Sequence, residues 1–109
     1  MIVLSLPPTD NNSYGMRGKI KFMYTVARDW REAAHLIAKS QYKGKLQKGD
    51  VKIGKITFYL KHWRDIQGSL KHIFDIMEGV VYVNDRQVIE FGKVYRRSDK
   101  ENPRVEVEV

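Results

Sequence analysis

The chain has 109 residues, 42% of them apolar and 11% aromatic, which suits a single folded domain and excludes a disordered tail. Its net charge of +7 points to a polyanionic partner, and the charge is uneven: residues 1–64 hold 13 Lys or Arg against 4 acids, residues 65–109 hold 7 against 9. There is no cysteine, which excludes a disulfide framework and a thiolate zinc site and leaves oxygen or imidazole as the means of holding a metal.

Ile2, Leu4 and Leu6 alternate with other residues and predict a half-buried strand that ends at Pro7-Pro8, because proline has no N–H for a ladder. Met1 to Leu6 lacks a basic lead and a cleavage pattern, so it does not read as a signal peptide. No stretch approaches the roughly 18 apolar residues of a membrane helix. No membrane association and a cytoplasmic location are therefore expected. Pro7 to Gly15 is a turn-rich loop in which Asn11, Asn12, Ser13 and Tyr14 suit turns and also phosphate contact.

From Thr25 to about Gln41, Val26, Trp30, Ala33, Ala34 and Ile37 recur at helical spacing and predict an amphipathic helix, capped near Thr25, with Trp30 filling the core. Tyr42 to Gly49 follows as a basic linker carrying Lys43, Lys45 and Lys48. Val51 to Trp63 reads as a long strand whose apolar phase changes at Gly54, predicting a bulge there; Trp63 suits either the core or stacking on an exposed base, and the core is the preferred reading. Leu70, Ile73, Phe74 and Met77 then fall at i, i+3, i+4 and i+7, a second helix with Ser69 as cap and Gly79 as stop. Lys71, His72, Asp75 and Glu78 lie off its apolar stripe. Val80–Val83 predicts a short strand, Asn84-Asp85 a turn, Val88–Arg97 a strand, Ser98–Pro103 a hairpin-like loop and Arg104–Val109 a last alternating strand. This order predicts one α+β domain over residues 1–109, a small mixed sheet with two main helices packed on it.

Asp65 stands where the long strand gives way to the second helix, a position that favours anions such as phosphate. Asp85 lies in the turn after Val83, and a short crossover of helix plus strand returns it toward Asp65. Two carboxylates facing one point make a minimal magnesium site, since this hard ion takes oxygen ligands and keeps waters for substrate phosphates. Lys71, on the exposed face of the helix, is placed to neutralise charge developing in a transition state. The same residues also suit a structural role: Asp65 as a cap, Asn84-Asp85 as turn chemistry, and Lys71 with Asp75 as an i,i+4 surface pair. His35, His62 and His72 share no motif spacing and read as surface or packing residues. Without a Gly-rich phosphate loop, no nucleotide cofactor is expected.

Two sets of residues carry a family resemblance. The loop Leu6-Pro7-Pro8-Thr9-Asp10-Asn11-Asn12-Ser13-Tyr14, and then Asp65, Lys71, Phe74-Asp75, Gly79, Asn84-Asp85 and Gln87 in order and spacing, resemble the RusA-type crossover junction endodeoxyribonucleases, the Holliday junction resolvases of prophages and bacteria. The resemblance implies an α+β homodimer that binds four-way DNA junctions. With Mg2+ or Mn2+ it would nick two opposed strands symmetrically, in DNA recombination and repair. It further implies Asp65 and Asp85 as metal ligands, Lys71 as the essential lysine, and Asp75 as an acid that positions Lys71 or supports the ligands. Asn11, Asn12, Tyr14, Arg17, Lys19, Lys21 and Arg64 complete the expectation as DNA contacts.

One departure stands out. The family pattern has an acid two residues after the first, where this chain has Gln67, and an asparagine where it has Gly68. Gln67 offers a carbonyl oxygen to a metal but no charge. Three explanations follow: a site that works with Gln67, recruitment of another acid such as Asp75 or Glu78, or a non-catalytic junction-binding protein with a weakened site. The first is the expectation taken forward.

Overall fold

A computed structural model describes residues 1–9 and 13–109. The chain forms β1 (Ile2–Leu4), β2 (Tyr14–Arg17), β3 (Ile20–Met23), α1 (Thr25–Gln41), β4 (Val51–Leu60), α2 (Gln67–Ile76), a 3-10 turn (Asp85–Gln87), β5 (Val88–Ser98) and β6 (Arg104–Glu108). Four strands make one sheet in the order β1-β6-β4-β5, with β4 and β5 parallel and the other pairs antiparallel. The expected α+β class with a mixed sheet and two helices is what the chain adopts.

Burial follows the alternation read in the strands. Ile2 and Leu4 of β1, Ile56, Phe58 and Leu60 of β4, and Val105 and Val107 of β6 are buried in one core with Ile73, Ile76 and Met77. Helix α1 spans its expected residues, but Tyr24 rather than Thr25 occupies the N-cap, and no side chain closes it. The buried stripe of α1 is Ala27, Ala34 and Ala38, while Val26, Leu36 and Ile37 are exposed. Trp30 packs against the core, partly buried, and donates its indole N–H to Ser5 Oγ at 3.1 Å.

Several expectations are corrected. Tyr14 and Gly15 belong not to a loop but to a separate hairpin of β2 and β3, turned at Gly18 with φ +62°. No bulge sits at Gly54: pairing with β5 runs unbroken from Ile53 to Leu60, and the irregularity falls between Val51 and Lys52. Close approach of β4 and β5 requires a glycine at 92, since a Cβ there would lie 2.5 Å from the Gly54 carbonyl oxygen. Along β4, Val51 and Ile53 are buried on one face and Ile56, Phe58 and Leu60 on the other.

Ser69 is inside α2, buried, rather than at its cap; Ile66 holds that position. Val80–Val83 is a turn, not a strand, with Val80, Val81 and Tyr82 buried and Val83 exposed. Gly79 takes φ +80°, and the Met77 carbonyl accepts from both Val80 and Val81 N–H, which curls the segment into a turn packed in the core. Ser98–Pro103 is no hairpin loop, because β5 and β6 lie on opposite sides of β4; it crosses the end of that strand, where Asp99 N–H donates to the Leu60 carbonyl at 2.9 Å. Trp63 is 61% exposed rather than in the core.

Candidate active site

The acidic residues converge at the C-terminal end of α2. Asp75 occupies the penultimate position of the helix, Glu78 follows its last turn, and Asp85 opens the 3-10 turn, so that one carboxylate oxygen of each lies within 4.8 Å of the others. The segment between Glu78 and Asp85 is tied back on itself. The Asn84 side chain accepts from Arg86 N–H at 2.9 Å, Gln87 Oε1 accepts from Val83 and Asn84 N–H at 2.9 Å each, and Asp85 N–H donates to Glu78 Oε1 at 3.0 Å. The Gln87 amide N–H groups reach the Gln47 and Gly49 carbonyls at 2.9 and 2.8 Å, pinning the turn to the linker after α1.

The concentration of negative charge registers on a neighbour. Tyr82 is buried, with its hydroxyl donating to the Phe74 carbonyl at 2.6 Å, and its pKa is pushed well above the ordinary value of 10.0, first by burial and then by Asp85, Glu78 and Asp75. Three carboxylates around one point are a hard-oxygen donor set of the kind that Mg2+ or Mn2+ takes. Asp85 also lines a cleft of about 210 Å³ with Phe74, Val88 and Phe91.

Asp75 is oriented from the opposite side by Arg31 of α1, whose Nη1 lies 2.9 Å from Asp75 Oδ2. Arg31 is the hub of a larger network: Nε donates to His72 Nδ1 at 2.8 Å and Nη2 to the Tyr14 hydroxyl at 2.8 Å. Because Nδ1 accepts, His72 Nε2–H donates to Ser13 Oγ at 2.9 Å, and Ser13 Oγ donates to the Thr9 carbonyl at 2.6 Å. Tyr14 stacks on the buried His72 ring, with centroids 5.9 Å apart. The acidic group, helix α2 and the chain flanking residues 10–12 are thus linked through one guanidinium. Sequence reasoning missed Arg31, which belongs to no motif, and left His72 between a surface and a packing role; it is the packing role that the fold gives it.

The residues singled out from the sequence are distributed as follows. Asp85 and Asp75 are brought together, with Glu78. Asp65 is not in that group: it precedes α2, and a ten-residue helix places it about 15 Å from the C-terminal end. There its Oδ1 accepts from Gln67 N–H at 3.1 Å, and the Gln67 amide, with its nitrogen turned to the carboxylate, donates to both oxygens at 2.8 and 2.9 Å. Lys71 is exposed on α2, one turn before Asp75. Tyr14 is engaged by Arg31 and His72, with Lys21 Nζ 4.3 Å over its ring; Arg17 and Lys19 are exposed on the β2–β3 hairpin. Arg64 is half-buried, which lowers its pKa, and its Nη2 donates to the Pro7 carbonyl at 2.7 Å. Asn11 and Asn12 lie outside the described residues. Among the described residues, no group of side chains placed to hold a metal includes a histidine.

A strongly basic α+β domain that gathers its carboxylates at one helix end has the make-up of a hydrolase acting on a polyanion. The family model described as Endodeoxyribonuclease RusA matches residues 5–109, and the chain belongs to that family. No curated protein matches it. Membership makes the chain an endodeoxyribonuclease, a hydrolase of the resolvase type that acts on branched DNA. Among the described residues no helix is long and apolar enough to cross a membrane.

Proposed function

We propose that the protein is a metal-dependent resolvase of four-way DNA junctions, acting as a homodimer that nicks two opposed strands symmetrically in recombination and repair. The observation that carries this reading is the convergence of Asp75, Glu78 and Asp85 in a chain of an endodeoxyribonuclease family. The geometry favours Asp75 and Glu78 beside Asp85 as the acidic set, since three carboxylates meet there, while Gln67 faces Asp65 at the other end of α2. Mg2+ or Mn2+ held there would supply electrophilic stabilisation of the scissile phosphate and an activated water. Arg31 holds the Asp75 carboxylate in place at the group through their ion pair at 2.9 Å. Lys71, exposed one helical turn away, offers an ammonium to charge developing on the phosphate. Asp65, at the start of α2, keeps the catalytic role that the family pattern gives it, at a distance from the three acids. A dimer suits a junction with two equivalent scissile strands, and the exposed apolar residues Val26, Leu36 and Ile37 of α1 provide surface for one. The setting proposed for this work is the cytoplasm.

The test is cutting of a synthetic four-way junction with Mg2+ or Mn2+ by the wild type, Asp85→Asn, Glu78→Gln and Asp65→Asn. Paired nicks are expected from the wild type, with a loss of at least about 100-fold in Asp85→Asn and Glu78→Gln, the scale of removing a group that stabilises transition-state charge. Glu78→Gln is decisive for the acidic group, since the family pattern by itself demands only Asp65 and Asp85. Absence of paired nicks with either metal overturns the reading.

A further inference from the structure

Five arginines of this protein have fixed guanidiniums, of two kinds. Arg31 and Arg104 end on carboxylates, at 2.9 Å from Asp75 and at 2.9 and 2.6 Å from Asp99 and Glu106. Arg64, Arg96 and Arg97 instead donate to backbone carbonyls, of Pro7, Arg64 and Arg96, at 2.7, 3.1 and 3.2 Å. Among the described residues no acid pairs with these three, so each guanidinium is held in place with its charge uncompensated. The Arg96 guanidinium lies 4.3 Å over the Trp63 ring and that of Arg97 4.3 Å over Tyr95. Trp63 remains 61% exposed, a large apolar ring presented to solvent beside fixed positive charge and two residues from Asp65.

A flat π surface next to unpaired guanidiniums fits a ligand that is both anionic and planar, which describes a nucleotide whose base is not buried in a stack. In continuous duplex DNA the base faces are covered. At a branch point, or in a single strand, they are open. We propose that Trp63 and Arg96 form a stacking platform for an unstacked DNA base beside Asp65, with Arg64 holding an adjoining phosphate. This rests on the reading of the chain as a junction-acting nuclease, and it adds the place where that nuclease senses the break in base stacking.

Binding without metal separates this from cutting. Fluorescence anisotropy in EDTA compares the wild type, Trp63→Ala, Trp63→Phe and Arg96→Ala on a four-way junction, a single strand and a linear duplex. Trp63→Ala is expected to weaken the junction and the single strand by about tenfold and the duplex by less than about twofold, with Trp63→Phe restoring most of the loss. Arg96→Ala is expected to weaken all three and to reduce the salt dependence. A 2-aminopurine at the branch point should be quenched by the wild type and not by Trp63→Ala. Because Trp63 is largely exposed, the variants should keep the wild-type melting temperature.

Unchanged binding of Trp63→Ala to all three DNAs would overturn the platform and leave the ring as a protein contact. An equal loss on duplex and junction would also overturn it, as a backbone contact only. If the wild type fails to cut or to prefer junctions, the nuclease reading fails separately, while the single-strand arm still decides the platform.

Discussion

Arg31 shows how much one side chain organises that no motif announces. Its guanidinium serves Asp75, His72 and the Tyr14 hydroxyl at once, using the fork of donors that a lysine lacks. Removing it leaves Asp75 beside Glu78 and Asp85 without its ion pair, and takes one hydrogen bond each from His72 and the Tyr14 hydroxyl. Arg31→Ala is therefore expected to lower stability by about 2 kcal/mol in urea denaturation. Arg31→Lys should recover the ion pair with Asp75 and only part of that stability, since Tyr14 and His72 still lose their bonds. Loss of cutting in Arg31→Ala with recovery in Arg31→Lys would mark the charge on Asp75 as the element that matters. Asp85, by contrast, was legible in the sequence, because turn residues and a family pattern both pass through it. Glu78 was named only as one alternative, since its pairing with Asp85 depends on how the chain curls after Gly79.

At the scale of elements, α2 and the turn that follows it decide the site. The helix was readable from Leu70, Ile73, Phe74 and Met77, yet its start lies earlier than a Ser69 cap predicts, so Asp65 flanks it and Asp75 closes it. The turn 79–83 looked like a strand because Val80, Val81 and Tyr82 are apolar and β-prone. Propensity gave way to the left-handed Gly79 and to burial against the sheet. This turn carries a pH signature through Tyr82. Its buried phenol holds its proton above the ordinary value of 10.0, whereas the unfolded chain releases it there. The contribution is complete below that pH and is lost as pH rises beyond it, since only the unfolded state gains from ionising. Tyr82→Phe is expected to cost about 1 kcal/mol at pH 8, from the lost hydrogen bond to Phe74, and to lose less stability than the wild type on going to pH 11. Denaturant midpoints of the two proteins at both pH values check this.

For the molecule as a whole, the first prediction concerns assembly. Sedimentation should give twice the 12.8 kDa mass of the chain, and charged substitutions at Leu36 and Ile37 on the exposed face of α1 should return it to one copy. The monomer result for the wild type would remove the dimer from the proposal. Charge separation, a basic first half against an acidic second, was visible in the sequence, but its meaning is three-dimensional: Arg31 crosses to an acid of α2, while Arg96 from the second half reaches the Trp63 ring and the Arg64 carbonyl of the first. By itself the sequence determined the α+β class, both helices, the four strands of the main sheet, and the resolvase family to which the chain belongs. These follow from local periodicity, turn chemistry and spacing, which act over a few residues at a time. Only the tertiary structure decided which face of α1 is buried, that β5 and β6 flank β4, and that Trp63 is exposed. It also decided that Asp75 and Glu78, rather than Asp65, stand beside Asp85. Those depend on side chains distant in the chain competing for the same buried space and the same charges, a competition that no local pattern records.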